Sequence, residues 1–200
     1  YQENPSEEAF ALASRILGYL WLTTDKGITL KGSVDKDKIL VYSDSDWGGD
    51  RDDRRSQSGS VVFIAGGLVN WNSSKQKSVS MSTMEAEYIA ASEAISEVQF
   101  IKNLAADLGL MDSCGKTTFL CDNQAALQAL KHPAKHSRAK HIDIRYHFVR
   151  DAISSEKVDA RYVRSEDNLA DPLTKGLNKT TLNKLTTAWG LGPRGSVNVS

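Results

Sequence analysis

The apolar positions of this chain follow a helical pattern first and a strand pattern afterwards. Residues 5–22 carry apolar side chains at helical spacing. The start of this predicted helix is marked by Asn4 as the cap, Pro5 at the first helical position and Glu7 three residues after the cap. Residues 24–38 are polar and contain glycine, which predicts a connector. From residue 39 onward, short continuous apolar runs are typical of buried strands.

Three of the predicted strands follow one another directly, and two later ones are separated by helices. In order, we predict strands 39–43, 60–65 and 68–72, helix 82–108, strand 117–121, helices 124–131 and 141–154, strand 158–163 and a short helix from about residue 167. This order indicates an α/β fold with a mixed sheet and helices on both faces. Residues 192–200 are predicted to be a flexible tail.

The composition narrows the function classes only slightly. The chain has 200 residues with 25 basic and 25 acidic side chains, so its zero net charge argues against binding nucleic acid by bulk charge alone. Its two cysteines predict a reduced intracellular protein without a disulfide framework. No apolar run approaches the roughly 20 residues that cross a membrane, so no membrane partner is expected. Because the chain starts at Tyr1 rather than Met, we interpret it as a fragment.

Four acidic residues occupy positions that can present a carboxylate to one shared site. Asp44 and Asp122 follow apolar strands, and ligand sites in such sheets lie at the carboxyl ends of strands. Asp46 is an alternative to Asp44. Glu87 and Asp171 fall in the first turns of predicted helices. Gathered carboxylate oxygens suit magnesium, and paired magnesium ions suit phosphoryl transfer.

The long predicted helix separates two candidate glutamates by their positions around its axis. Glu87 borders the apolar stripe to which Met84 and Ala91 belong. Glu85 is the third helical residue of a capping box whose cap is Ser82, and therefore has a structural role. A carboxylate beside a buried face is costly unless it is paired or coordinated. Glu87 is therefore the predicted ligand.

A basic segment at residues 131–142 contains no acidic residue. Its Lys135, Arg138 and Lys140 predict contacts with the phosphate backbone of a nucleic acid, with a solvated loop as the alternative. The four histidines and two cysteines do not have the spacing of a tetrahedral zinc site, so zinc is not predicted.

Several short motifs together make the sequence similar to a known family. They are residues 42–47 (YSDSDW), 54–59 (RRSQSG), 82–88 (STMEAEY), 121–124 (CDNQ), 140–145 (KHIDIR) and 168–171 (NLAD). In this order, over about residues 39–177, they resemble the ribonuclease H domain of copia-class (pseudovirus-type) LTR retrotransposon polyproteins. The helix at 5–22 resembles the end of the connection segment that joins reverse transcriptase to ribonuclease H.

The resemblance implies a five-stranded ribonuclease H fold, with three antiparallel strands followed by two parallel ones. It also implies a metal-dependent endoribonuclease that cleaves the RNA strand of RNA–DNA hybrids by a two-metal mechanism, leaving 5′-phosphate and 3′-hydroxyl ends. Two Mg²⁺ ions would be the cofactors, with Mn²⁺ able to substitute. Carried over by motif, the catalytic and metal-binding acids are Asp44, Glu87, Asp122 and Asp171. The substrate-binding residues are Ser45, Gln124, Lys135, Arg138 and Lys140.

By the same resemblance, the chain divides into three parts. These are a connection-segment helix and linker (1–38), a ribonuclease H domain (39–177), and a C-terminal helix with a flexible tail (178–200). The apolar helix at 5–22 is expected to pack against the ribonuclease domain, against the polymerase portion of the same polyprotein, or against a second copy in a homodimer. We expect a cytoplasmic location within a virus-like particle, or a nuclear one.

Two alternatives to an active ribonuclease H stay open at this point. One is a non-catalytic hybrid-binding module of a reverse transcriptase complex, and the other is a different nuclease of the same fold. Relatives of the family also carry a histidine loop between the last strand and the last helix, and residues 163–167 are too short to hold one. Either that function is absent, or a histidine from residues 132–141 substitutes.

Overall fold

The structure, a computed structural model, describes residues 4–30, 32, 39–110, 117–131, 140–155 and 158–194, without the side chains of 140–146. The helices are α1 Glu7–Leu22, α2 Thr83–Asp107, α3 Gln124–Lys131, α4 Lys140–Ser154 and α5 Lys179–Ala188. The strands are β1 Lys26–Ile28, β2 Ile39–Asp46, β3 Gln57–Ile64, β4 Gly67–Lys75, β5 Thr117–Cys121, β6 Val158–Tyr162 and β7 Leu191–Pro193. Two short 3₁₀ turns, Ser165–Asp167 and Asp171–Leu173, precede α5.

The main sheet has five strands in the order β4-β3-β2-β5-β6. Strands β2, β3 and β4 are antiparallel neighbours, whereas β5 runs parallel to β2 and β6 runs parallel to β5. Strand β2 is central, and its residues Ile39 and Val41 are fully buried, as expected for a continuous apolar run covered on both faces. The predicted mixed sheet, three antiparallel strands and then two parallel ones, is therefore confirmed.

The two faces of the sheet are covered by different parts of the chain. On one face, the main core joins the strands to α2, α3 and α4, and includes Ile39, Val41, Tyr88, Phe119, Leu130 and Val149. On the other face, a smaller cluster around Phe63 packs against Leu169, Leu173 and Trp189. The Trp189 indole N–H donates to the Leu169 carbonyl at 3.0 Å, which fixes the segment before α5 across this second face.

Several element boundaries differ from those that the hydrophobic pattern predicts. Strand β2 continues to Asp46 rather than ending at residue 43, because its polar last residues still pair with β3. The short helix predicted from about residue 167 is wrong, since two 3₁₀ turns occupy this region. Pro172 has no N–H to donate back into such a helix.

Helix α1 starts at Glu7 and leaves its apolar side chains uncovered. Ser6 is its cap, since the Ala9 N–H donates to Ser6 Oγ at 3.2 Å, so the predicted capping by Asn4 is wrong. No residue of α1 is buried, and its exposed apolar side chains include Phe10, Ile16, Leu17, Leu20 and Trp21. The rest of the described chain therefore does not cover this helix. Among the described residues, no helix is long and apolar enough to cross a membrane.

A two-stranded antiparallel ribbon joins segments from the two ends of the described chain. Strands β1 and β7 pair so that Lys26 faces Pro193, and the Arg194 N–H donates to the Asp25 carbonyl at 2.7 Å. Gly190 leads into β7 at a φ of 82°, and a Cβ there would lie 2.5 Å from the Thr29 carbonyl oxygen. The pattern predicts a flexible tail from residue 192, whereas residues 192–194 lie in this ribbon; residues 195–200 lie outside the described part.

Candidate metal centre

The register between the two central parallel strands brings two of the four acids level. Tyr42 of β2 pairs with Leu120 of β5, so two residues further along Asp44 comes level with Asp122. Both residues therefore leave the same face of the sheet, and at the same end. Asp44 is 1% exposed and lies within β2, whereas Asp122 directly follows β5 and is half-buried.

Glu87 reaches the same position from helix α2. Its side chain is buried, the Ser45 N–H donates to its Oε1 at 3.3 Å, and the Cys121 Sγ lies 3.9 Å from its Oε2. Glu85 instead caps the helix, because its carboxylate accepts from the Met81 N–H at 2.8 Å while its own N–H donates to the Ser82 side chain. The Ser82 half of the predicted capping box is confirmed, whereas the Glu85 carboxylate meets the N–H one residue before the cap. The structure places Glu87 rather than Glu85 beside β2 and β5.

Asp171 is held on the second face by a short turn that Asn168 fixes. Asn168 is fully buried, its Nδ2 donates to the Ser43 carbonyl at 3.0 Å, and its Oδ1 accepts from the Ala170 N–H at 3.1 Å. One amide side chain thus ties the turn to β2 next to Asp44. Asp171 begins the second 3₁₀ turn at this point.

Gly59 of β3 makes room for the same turn. It lies opposite Asp44 in the antiparallel register, and an added Cβ would stand 2.7 Å from Thr174 Cγ2 and 3.1 Å from the Ala170 carbonyl oxygen. Both approaches are closer than ordinary van der Waals contact. A side chain at this position would therefore push the turn that carries Asp171 away from the sheet.

All four predicted acids lie together in the structure. Ligand oxygens of Asp44, Asp122 and Asp171 lie within 4.8 Å of one another, and so do the ligand atoms of Glu87, Cys121 and Asp122. Asp122 belongs to both groups and therefore joins them. Asp46, the alternative to Asp44, belongs to neither group among the described residues.

Burial and mutual repulsion disfavour the charged forms of these acids. Burial, followed by the negative charges of Asp44 and Asp122, raises the pKa of Glu87 to about 8. Burial, with Asp44 nearby, raises the pKa of Asp171 to about 6. Burial also raises the pKa of Asp44, although a neighbouring hydroxyl and Lys175 oppose this. The chain thus places too little positive charge near these carboxylates to offset their burial and repulsion. A bound cation would favour their charged forms.

The donor set fits a hard divalent cation. Asp171 Oδ1 is buried without a hydrogen-bond partner among the described residues, although the Lys175 Nζ lies 3.1 Å away as an ion pair. Burial raises the pKa of the Cys121 thiol, so this sulfur stays protonated and is a poor ligand. The remaining donors are all carboxylate oxygens, which is the ligand type that magnesium prefers.

The structure describes only some of the residues that the sequence predicts to bind substrate. Ser45 lies beside the acids, and its buried Oγ has no hydrogen-bond partner in the described part of the chain. Gln124 is exposed as the first residue of α3. Lys135 and Arg138 lie outside the described residues, and Lys140 begins α4 without a described side chain. The histidines between 132 and 141 are likewise not described, so their roles stay predictions.

The sequence pattern did not identify the residues that support the acids. Besides Asn168 and Gly59, these include Gln76, whose Nε2 donates to Ser58 Oγ at 3.0 Å and to the Ala86 carbonyl at 2.9 Å. Gln76 thereby ties the end of β4 to the first turns of α2. Asn168 lies in the 168–171 motif and Gly59 in the 54–59 motif, so membership of a motif was the available signal for these two residues.

We expect Asn168→Ala to destabilise the fold and to weaken metal binding together. The change removes the buried hydrogen bonds of Asn168 to the Ser43 carbonyl and from the Ala170 N–H, which should cost about 2–3 kcal/mol of unfolding free energy. Asn178→Ala is the matched control, because it removes only the cap of α5, worth about 1 kcal/mol. Denaturant unfolding with and without Mg²⁺ measures both effects. A full Mg²⁺-induced stabilisation in Asn168→Ala would contradict the positioning role.

The fold is that of ribonuclease H. LC11-RNase H1, isolated from compost by a metagenomic approach, superposes with a TM-score of 0.51 at 17% identity, over 69% of this chain and 93% of that one. The same protein in complex with an RNA/DNA hybrid gives a TM-score of 0.50 at 16% identity. At such identities the likeness defines the fold alone. In this chain, the four clustered acids lie at the end of the central strands of that fold.

Curated relatives identify the family more closely, although no family model matches the chain. The retrovirus-related Pol polyprotein from transposon RE1 of Arabidopsis thaliana is 37% identical over 191 residues, or 96% of this chain. That from transposon TNT 1-94 of Nicotiana tabacum is 39% identical over 176 residues, or 88% of this chain. The chain spans 13% of the length of each. It is thus a homologue of the copia-type retrotransposon Pol polyproteins, and corresponds to a segment of them; the resemblance is confirmed.

Proposed function

We propose that this chain is a metal-dependent ribonuclease H that cleaves the RNA strand of RNA–DNA hybrids during reverse transcription. The observation that carries the proposal is the meeting of Asp44, Glu87, Asp122 and Asp171 at the end of the central strands. The Pol polyprotein homologues support a role in reverse transcription, and the hybrid complex of the structural neighbour supports the substrate class.

The four acids would hold the metal, and the overlap of the two groups at Asp122 supports two ions. Magnesium bound there would supply a Lewis acid for the phosphoryl oxygens and would lower the pKa of the attacking water. The chain itself fixes the ligands: the Ser45 N–H orients Glu87, and Asn168 holds the turn of Asp171. Because all donors are carboxylate oxygens, Mn²⁺ should substitute for Mg²⁺.

Hybrid recognition would combine Ser45 and Gln124 near the acids with the basic segment at 131–142. Hybrids are read mainly through groove shape and 2′-hydroxyls, so little dependence on base sequence is expected. The homologues also support the polymerase portion of the same polyprotein as the partner, for which the uncovered helix α1 is the candidate contact. A homodimer and the location in a virus-like particle stay predictions.

A cleavage assay with a labelled RNA–DNA hybrid distinguishes an active ribonuclease H from a non-catalytic binding module and from a different nuclease of this fold. The purified chain should cleave the RNA strand in Mg²⁺, leave it intact in EDTA, and leave single-stranded RNA and duplex DNA intact. The products should carry 5′-phosphate and 3′-hydroxyl ends. Tight hybrid binding without turnover in any divalent metal would instead indicate a non-catalytic binding module, and cleavage of duplex DNA would indicate a different nuclease of this fold.

Replacing Lys135, Arg138 and Lys140 with Ala should weaken hybrid binding without changing sequence preference. Each lost phosphate contact should reduce the log–log salt slope of the binding constant by about one unit. The control replaces Lys26, Lys179 and Lys184, which removes the same charge from the β1–β7 ribbon and α5. Equal slopes for the two triple variants in a salt titration would show that the segment is only a solvated loop.

A further inference from the structure

A lysine ammonium stands among the acids of the candidate metal centre. The Lys175 Nζ lies 3.4 Å from each carboxylate oxygen of Asp44 and 3.1 Å from Asp171 Oδ1. In the part of the chain that the structure describes, these are the ion pairs that the four acids make. Lys175 is not one of the four proposed metal ligands.

The local backbone explains why this lysine reaches both acids. Lys175 follows Asp171 by four residues, and its N–H donates to the Asp171 carbonyl at 3.2 Å, so the two side chains lie on the same side of one turn. The Thr174 hydroxyl, one residue earlier, donates to Asp44 Oδ2. The Lys175 side chain is 38% exposed, whereas the side chains of Asp44 and Asp171 are 2% and 9% exposed. The ammonium therefore approaches the buried acids from the solvent side.

The ammonium supplies positive charge where a metal ion would supply it. The buried carboxylates of Asp44 and Asp171 repel each other and the nearby carboxylate of Asp122. This repulsion is strong where water is excluded. A single positive charge between Asp44 and Asp171 offsets part of that repulsion. A divalent cation bound by the same oxygens would repel the ammonium at this distance. The two cations would therefore compete for the same oxygens of Asp44 and Asp171.

We propose that Lys175 is an internal counter-cation of the metal centre. It holds Asp44 and Asp171 together while no ion is bound, and a divalent cation must displace it in order to bind. A monovalent cation gains little by this exchange, because it replaces one positive charge with another. The residue thus favours divalent over monovalent ions. The inference rests on the proposed metal centre.

The test compares metal affinity in Lys175→Met with that of the native chain, without substrate. Free Mn²⁺ in a titration of the metal-free chain is counted by electron paramagnetic resonance. We expect Lys175→Met to bind Mn²⁺ about five- to tenfold more tightly, because a competing charge in a half-exposed pair is removed. Its melting temperature in EDTA should fall, and the rise on adding Mn²⁺ should exceed the native rise. Lys175→Arg keeps the positive charge and should restore near-native affinity.

Lys184→Met is the matched control. The Lys184 Nζ pairs with Asp167 at 2.7 Å on the surface, so its loss removes one positive charge from the same region without touching the four acids. It should leave the Mn²⁺ affinity within about twofold of native. Equal affinity in the two methionine variants, or weaker binding in Lys175→Met, would overturn the counter-cation. No Mn²⁺ binding by the folded native chain would instead overturn the proposed metal centre, and the counter-cation with it.

Discussion

Replacing Asp122 with Asn should abolish hybrid cleavage while the protein stays folded. Asp122 belongs to both groups of ligand atoms, so the substitution removes a carboxylate from each. The expected loss in the rate of cleavage is on the order of 10³-fold or more, as for loss of a group that stabilises transition-state charge. The melting temperature without metal should be unchanged or higher, because the Asp122 charge raises the pKa of Glu87 and of Asp44.

Asp46→Asn is the matched control for this variant. Asp46 ends β2 two residues after Asp44, and it belongs to neither group among the described residues. The same chemical change there should alter the single-turnover rate by no more than a few fold. Near-native cleavage by a folded Asp122→Asn variant, or equal losses in the two variants, would remove the assignment of Asp122 as a metal ligand.

Glu87→Gln should abolish cleavage and Glu85→Gln should leave it near native, although both residues lie in the first two turns of α2. Gln at position 87 can still accept from the Ser45 N–H but offers the metal no charge, so cleavage should fall by a similar 10³-fold or more. Gln at position 85 still serves a capping box, so both rate and stability should stay close to native. Parallel rate and melting measurements test the pair, and the reverse outcome would show that Glu85 is the ligand.

The stability of the metal-free protein should also depend on pH through Glu87. Its pKa of about 8 lies above the ordinary value of 4.5, so the folded state binds more protons than the unfolded chain between these values. The contribution of Glu87 to stability is therefore present below about pH 4.5 and is lost as the pH rises through about 8. Glu87→Gln cannot titrate, so its metal-free melting temperature at pH 8 should exceed the native one by several degrees, at roughly 2–4 °C per kcal/mol.

Melting curves in EDTA across pH 5 to 9 measure this difference. The native protein and Glu85→Gln should lose stability over this range more steeply than Glu87→Gln. Magnesium should reduce the native loss, because a bound cation favours the charged carboxylates. Superimposable pH profiles for native protein and Glu87→Gln would show that Glu87 is not the group whose proton affinity the fold raises.

The hydrophobic pattern predicted correctly those acids that lie on, or directly after, a helix or a strand. Asp44 and Asp122 follow apolar runs whose parallel pairing makes them neighbours, and the period of α2 distinguishes Glu87 from Glu85. Asp171 has no such support, because two 3₁₀ turns replace the predicted helix there. The helix that made Asp171 a candidate is absent, so the motif at 168–171 is the signal for it that remains.

The supporting contacts could not be predicted, because they join distant parts of the chain. Asn168 bonds to Ser43 across 125 residues, and Lys175 reaches Asp44 across 131. Polarity along the sequence carries no information about which distant backbone group a buried amide will meet. The β1–β7 ribbon was missed for a related reason, since three-residue strands are too short to show an alternation.

The β1–β7 ribbon also determines how the domain would respond to a pulling force. The strands are antiparallel, so the chain enters at Asp25 and leaves at Arg194 on the same end of the ribbon. Tension between these two points would load the Arg194–Asp25 hydrogen bond first, and then each following bond one at a time as far as that between Thr29 and Gly190. Opening in sequence needs less force than shearing all the bonds together. A pull on helix α1 against the chain at Arg194 would therefore open the ribbon bond by bond before the force reached the five-stranded sheet and its acids.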